Sequence, residues 1–270
     1  GYSTRCVFLD QPETKFYDEK TLRDLEQLCI DSQIIGISGI QVVRHKTQQV
    51  IDRLSRPERK IIIGGYDATF APQRYNGADY ICRGDGEKVM FDLVRKIERG
   101  DPPEQRILPV SPVLDLNELP AEDYDNSNHF TISDDGAITP LKRLLAYKNP
   151  RASTKNSLFY VTARGCPYQC TFCEEPNFVK LAGAKKPVRL KNPDKVIAEI
   201  EGIKERYPEM ERVYFMDPEF FSRPASWIKE FSTLYKRNID LPFWVFGYPT
   251  AINEEKLSQL GARIRRVPGQ

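Results

Sequence analysis

Apolar residues along this chain keep two rhythms, short near-continuous runs and longer stretches with a helical stripe. The runs in the amino-terminal part lie at residues 5–9, 34–38, 60–64 and 79–82. Ile34-Ile-Gly-Ile-Ser38 and Lys60-Ile-Ile-Ile-Gly64 are rich enough in β-branched residues to be strands buried on both faces. Between the runs, residues 17–32 put Leu22, Leu25, Leu28 and Cys29 on one helical face. Residues 44–54 turn Val50, Ile51 and Leu54 inward, and residues 87–97 do so with Val89, Leu93, Val94 and Ile97. Such alternation of strand and helix predicts an α/β fold with a Rossmann-like, doubly wound parallel sheet.

From residue 101 to about 155 the pattern stops. Pro102, Pro103, Pro109, Pro112, Pro120 and Pro140 interrupt any period, and Ser133-Asp-Asp-Gly136 reads as a turn. The alternation returns with strands predicted at 157–161, 212–216, 242–246 and 262–267 and helices at 192–207, 225–237 and 254–260. Asn192-Pro193 is a helix start, with Asn at the cap and Pro in the first turn. The expected organisation is a Rossmann-like domain at 1–100, a Pro-rich linker at 101–155 and the start of a (β/α) barrel at 156–270.

Composition narrows the class. At 40% hydrophobic and 29% charged residues over 270 positions, the chain reads as soluble and globular. Lys+Arg 40 against Asp+Glu 38 gives no basic field of the kind a nucleic-acid binder shows. No apolar stretch reaches membrane length, and no signal peptide opens the chain. Six cysteines, three of them in one short segment, are no disulfide framework, and they point to a reducing cytoplasm. Cys6, Cys29 and Cys82 fall on core-like positions. His45 and His129 sit among polar residues and are expected to be solvated, as is the Lys- and Arg-rich stretch 180–191, whose other reading is a contact to an acidic substrate.

The chemistry concentrates in Arg164-Gly-Cys166-Pro-Tyr-Gln-Cys170-Thr-Phe-Cys173, directly after the strand predicted at 157–161. A C-x-x-x-C-x-x-C loop can fold three thiolates around one metal centre and supplies no fourth. Iron–sulfur clusters usually take four thiolates, so three leave one iron open to a ligand that is not protein. The competing readings are a structural zinc site, which normally wants four closed ligands, or three unrelated core cysteines. In the first domain, Ser38-Gly39, Gly64-Gly65 and Gly84-Asp85-Gly86-Glu87 follow the carboxyl ends of predicted strands, where parallel sheets bind ligands.

At the cysteines, with Phe172 just before the last and Arg-Gly-Cys-Pro-Tyr at the first, the sequence resembles the radical S-adenosylmethionine (SAM) superfamily. The resemblance implies a 4Fe–4S cluster held by Cys166, Cys170 and Cys173, whose open iron is chelated by SAM, and cleavage of SAM to a 5′-deoxyadenosyl radical. It also implies that Phe172 packs near the adenine. Asp217 and Glu219, in Asp217-Pro-Glu219-Phe-Phe221, stand where relatives place an acidic motif near the methionyl group. Gly247 falls near the ribose, and Arg189 where relatives carry an Arg. An ordinary capping turn is the other reading of Asp217 and Glu219.

The first domain resembles the cobalamin-binding domain that precedes many radical SAM barrels. Ser38-Gly39-Ile40 stands for the S-x-L element, Gly64 and Gly65 follow, and Gly84, Gly86 and Glu87 lie in a turn like Gly-Glu-Gly-Glu. Tyr66-Asp67-Ala68-Thr69 sits where relatives often have Pro-His-Ala-Thr. The D-x-H-x-x-G loop that carries a lower axial ligand would fall before Gly1, and the barrel stops short of the family's full set of strand-helix units, so the chain is expected to be a segment trimmed at both ends, with a natural half-barrel completed by a partner as the alternative. A Rossmann-like domain that kept the fold without the corrinoid is the alternative.

The function this implies is a cobalamin-dependent radical SAM enzyme methylating an unactivated carbon of a small-molecule or peptide substrate, with an electron donor such as flavodoxin or ferredoxin. Radical chemistry without methyl transfer and a non-catalytic corrinoid or Fe–S binding module are the other two expectations.

Overall fold

The computed structural model describes residues 2–9, 15–142 and 156–261. Contacts divide the chain into two units. The first holds residues 1–114, 125–141 and 172–185, and the second 115–124, 142–171 and 186–270.

The first unit is built on a four-stranded sheet. Its elements begin with β1 (Cys6–Phe8), α1 (Glu19–Leu28), β2 (Ile34–Ser38), α2 (Arg44–Leu54), β3 (Lys60–Gly64), α3 (Tyr66–Phe70), β4 (Tyr80–Arg83), α4 (Gly86–Glu98) and β5 (Ile107–Val110). Strands β2, β3, β4 and β5 pair in that order, all parallel. The period of two along β3 sends Ile61 and Ile63 to one face, where they pack with Leu22 and Leu25 of α1 and Val50, Ile51 and Leu54 of α2. Ile62 faces the other way and packs with Tyr80, Cys82 and Leu93 of α4. Helices therefore cover both faces of β3, as its β-branched run required, whereas β2, at the sheet edge, buries only Ile35 and leaves Gly36 and Ser38 exposed.

Several expectations change. β1 does not join this sheet. It pairs in parallel with β6 (His129–Ile132), which pairs with β7 (Ile138–Pro140) across the turn at Ser133–Gly136. Residues 107–140, read from the sequence as linker, thus hold three short strands. The two that contain a Pro, β5 and β7, are both edge strands, and β7 ends at its Pro. His129 is buried, not solvated, and its Nδ1 lies 3.1 Å from Asn126 Oδ1. Of the three cysteines expected in the core only Cys82 is buried, while Cys29 is half-buried and Cys6 exposed at the start of β1. His45 is half-buried, edge-on to the Phe16 ring at 4.9 Å. The unit ends with α5 (Glu175–Leu181).

The second unit has strands β8 (Ser157–Tyr160), β9 (Ala163–Arg164), β10 (Arg189–Leu190), β11 (Arg212–Phe215) and β12 (Phe243–Val245), and helices α6 (Pro193–Arg206), α7 (Ala225–Asn238) and α8 (Glu254–Leu260). β12, β11 and β8 form a parallel sheet in that order. Leu158, Tyr160, Val213 and Phe215 point to one face and pack with Val196, Ile200, Ile228 and Phe231 of α6 and α7. The opposite face carries a row in register, Phe159, Tyr214 and Trp244, whose rings stack at 5.1 and 6.1 Å between centroids. Helices on one side and side chains in rows on the other are the wall of a barrel. Residues 115–124 are fastened to this wall: Asn117 Oδ1 accepts from Asn192 N–H at 2.6 Å, and Tyr207 donates to the Tyr124 carbonyl at 2.6 Å. Lys191, expected in a solvated stretch, is buried and donates to Glu199 at 2.8 Å and to the Tyr160 hydroxyl at 3.0 Å. Burial pushes the Glu199 carboxyl up, but hydrogen bonds from Lys191, Tyr160 and Lys195 outweigh it and hold the group below its ordinary value. The strand expected at 262–267 lies outside the described residues.

Candidate active site

The cysteine loop begins where β8 stops. Two residues past Tyr160, the N–H groups of Thr162 and Ala163 donate to Asp217 Oδ1 at 2.7 and 2.8 Å, and the Thr162 hydroxyl donates to Oδ2 at 2.7 Å. Ala163 and Arg164 then pair with Leu190 and Arg189 in the β9–β10 ladder. At Gly165, φ is +90°, and a Cβ there would run into the Pro187 carbonyl, so only glycine turns the chain into the loop. Tyr168, inside the loop, packs its ring 4.6 Å from that of Tyr248 and lies 3.5 Å, hydroxyl to hydroxyl, from Thr250. The turn at Gly247-Tyr248 therefore sits against the loop, as the barrel reading expects. Gly247 is required by packing, because a Cβ would enter the Phe221 ring.

None of Cys166, Cys170 and Cys173 is in a disulfide, and all three are half-buried. Among the described residues no group of three His, Cys, Asp or Glu side chains is placed to hold a metal ion. The donor set itself, three thiols on one loop with none in a disulfide, is the kind that holds an iron–sulfur cluster. Phe172 is 91% exposed.

Asp217 and Glu219 are placed differently from a pair of free carboxylates. Asp217 is fully buried, and besides Thr162 and Ala163 it takes a hydrogen bond from Arg223 at 2.7 Å. Glu219 is also buried and accepts from the N–H groups of Phe221 at 2.8 Å, Ser222, and Tyr248 at 3.4 Å. It thereby fixes the turn after β11 and the turn after β12 together.

In the first unit the strand ends close on one another. Gly39 N–H donates to the Gly64 carbonyl at 3.2 Å. Gly65 has φ +94° and ψ 178°, a region open only to glycine, and a Cβ on it would stand 2.7 Å from the Gly39 carbonyl oxygen. Below this contact, Asp67 accepts from Arg44 Nε at 2.6 Å and from the Tyr75 hydroxyl at 2.7 Å. The Arg44 guanidinium holds the Asp67 carboxyl below its ordinary value, while burial pushes Tyr75 up. Ser38, Ile40, Gly86 and Glu87 are exposed at the same carboxyl ends. Gly84, at φ +84°, is held by the Thr69 hydroxyl accepting from its N–H at 3.1 Å. These crowded glycine ends, with exposed Ile40 and Phe70 beside them, suit a flat ligand approaching backbone and fit the corrinoid reading. Tyr66, which opens α3, donates to Glu175 at 2.6 Å and packs 5.6 Å from the Phe178 ring, so α5 rests on the Gly64-Gly65 turn.

No family model matches the chain. It is 28% identical over 216 residues, 74% of the chain, to the anaerobic magnesium-protoporphyrin IX monomethyl ester cyclase of Rubrivivax gelatinosus, covering 36% of that protein. Among solved structures it matches the radical SAM methyltransferase TsrM from Kitasatospora setae with a TM-score of 0.60 at 17% identity, over 90% of the chain and 49% of TsrM. It also matches the cobalamin-dependent SAM radical enzyme OxsB with a TM-score of 0.52 at 18% identity, over 89% of the chain and 35% of OxsB. The fold is that of the cobalamin-dependent radical SAM enzymes. The chain spans about a third of the length of the curated relatives it matches.

Sequence reading singled out the cysteines and the glycine ends because both are written in local spacing. It missed the residues that arrange them. Thr162 reads as the tail of an apolar run, Arg223 as a residue of the turn before α7, and Arg44 as a solvated helix position. Only Asp67, standing where relatives often have His, carried a signal that could have drawn attention to its cluster.

Proposed function

We propose that the chain is part of a cobalamin-dependent radical SAM enzyme that methylates an unactivated carbon of a small-molecule or peptide substrate. The observation that carries this reading is the C-x-x-x-C-x-x-C loop leaving the first strand of a helix-backed parallel sheet, in the fold shared with TsrM and OxsB. When bound, a 4Fe–4S cluster supplies the electron that cleaves SAM, and a corrinoid carries the methyl group. Cys166, Cys170 and Cys173 hold the cluster as thiolates. Phe172, exposed on the loop, covers the adenine. Glu219 fixes the turn at Gly247, which borders the ribose. The strand ends at Ser38-Gly39-Ile40, Gly64-Gly65 and Gly84–Glu87 form the corrinoid face. An electron donor of the flavodoxin or ferredoxin type and a cytoplasmic setting complete the reading. Among the described residues no helix is long and apolar enough to cross a membrane.

Anaerobic reconstitution of the full-length chain tests it. The parent should gain a brown chromophore, bind hydroxocobalamin and release 5′-deoxyadenosine from SAM under reductant. A variant with the three loop cysteines changed to Ala should lose the chromophore and the cleavage, and retention of both sinks the reading. The similarity to a cyclase favours one second reading, radical chemistry without methyl transfer. Product mass separates the two, a gain of one methyl group against none. A binding module would take up the cofactors and form no 5′-deoxyadenosine.

A further inference from the structure

Asp217 stands where an acidic group facing SAM is expected, yet nothing of it is left to face a ligand. Its exposure is 0%, and its oxygens already take donors from Thr162 N–H, Ala163 N–H, the Thr162 hydroxyl and Arg223. A carboxylate offers about four lone-pair sites, so its acceptor capacity is filled. Arg223 is as deeply enclosed. Its side chain has 0% exposure, and it donates to the Phe220 carbonyl at 2.7 Å and to the Thr162 hydroxyl. Its guanidinium lies 4.0 Å from the Phe220 ring centroid and 4.6 Å from that of Trp227. A planar fork clamped by rings and carbonyl cannot pivot without opening the core of α7.

We infer that Asp217, Arg223 and Thr162 form a brace that sets the departure of the cysteine loop, and that Asp217 acts as a positioning residue for Cys166 without touching SAM. The inference rests on the proposed role of that loop in holding the cluster. Just past the end of β8 the Thr162 and Ala163 N–H groups both donate to the carboxylate, so the chain is tied there to Asp217. The chain then makes one short ladder in β9 and turns at Gly165 into Cys166. Any shift of Thr162 is handed to Cys166 along a few restrained residues. The hydroxyl of Thr162 is the keystone, donating to Asp217 while accepting from Arg223.

The experiment compares D217N, T162V and T162S with the parent, each checked by far-UV circular dichroism for folding. T162V removes the keystone hydroxyl at nearly constant volume, and T162S restores it, so the test does not depend on D217N folding. In metal-free protein, alkylation of Cys166 by iodoacetamide, referenced to exposed Cys6 by mass spectrometry, should rise at least about fivefold in T162V and D217N as local opening becomes easier, and stay near parent in T162S. After anaerobic loading with iron and sulfide, T162V and D217N should show an altered electron paramagnetic resonance signal of the reduced cluster without SAM. Their affinity for SAM, measured on the loaded fraction, should stay within about twofold of parent, because no contact to it was removed. Parent-like Cys166 reactivity in T162V overturns the brace. A parent-like SAM-free signal in D217N with SAM binding weakened by about tenfold or more would make Asp217 a SAM ligand, the loss expected of a direct charged hydrogen bond. A parent that takes up no cluster defeats the proposed function, while the alkylation comparison still decides the brace.

Discussion

Gly65→Ala is the sharpest test of the crowded strand ends in the first unit. Gly65 lies at φ +94° and ψ 178°, and an added Cβ would meet the Gly39 carbonyl oxygen at 2.7 Å and Ser38 Oγ at 3.0 Å. Holding an L-residue in that backbone region costs about 1–3 kcal/mol. Relieving the contact adds about 1–3 kcal/mol, since backbone must move and the Gly39–Gly64 hydrogen bond lies beside it. The sum, ~2–6 kcal/mol, is a large part of a domain stability of about 5–15 kcal/mol. Gly100→Ala is the control: its φ is +72°, but nothing lies within 4 Å of its Cβ. It should lose only the backbone share, about 1 kcal/mol. Urea unfolding followed by far-UV circular dichroism reads the difference, with the G65A midpoint about 1–2 M below parent. If the two variants fall within about 0.5 kcal/mol of each other, close approach of Gly39 and Gly65 is not what the structure implies. Hydroxocobalamin binding should fall with G65A and hold with G100A, since only the former deforms the strand ends.

Other consequences follow from the same contacts. Arg44 and Tyr75 hold the Asp67 carboxyl below its ordinary 3.8, so Asp67 contributes stability above about pH 4 that is lost as pH falls through its folded pKa. D67N should therefore cost about 2 kcal/mol at pH 7 and make acid unfolding shallower below pH 4, and an unchanged acid limb would refute this assignment. Burial pushes the Cys82 thiol up to about 11, so in native protein at pH 8 it should alkylate far more slowly than exposed Cys6, and equal rates by mass spectrometry would contradict its placement. Phe231 has 0% exposure and meets the rings of Phe215, Phe220, Trp227, Tyr235 and Phe243. F231A should cost about 3–5 kcal/mol in urea unfolding, and a loss under ~1 kcal/mol would mean the cluster is not packed as described.

What local spacing encodes was legible before any coordinates. The runs at Ile34–Ser38 and Lys60–Gly64 are strands at those bounds, Arg44–Leu54 and Glu254–Leu260 are helices at those bounds, and the cysteine loop follows β8. Each is a pattern of neighbours within a turn or two of chain, and burying one face is enough to realise it. The pairing of β1 with β6, across more than a hundred residues, has no such mark. Neither has the burial of His129, which follows the polar run Asn126-Ser-Asn128 but packs on the ring of Phe8 from far earlier in the chain.

The chemistry on offer, three thiols in one loop, glycines at strand ends and alternating elements to carry them, can be read from residue order alone. The surroundings of Asp217 come from packing across the fold. In sequence it is an acid after a strand, open to any ligand. Folded, it is enclosed by Thr162, fifty-five positions earlier, and by Arg223 six later, and its charge is spent on them. Desolvation leaves a buried carboxylate no choice but to find donors within the protein, and which donors are within reach is a property of packing alone.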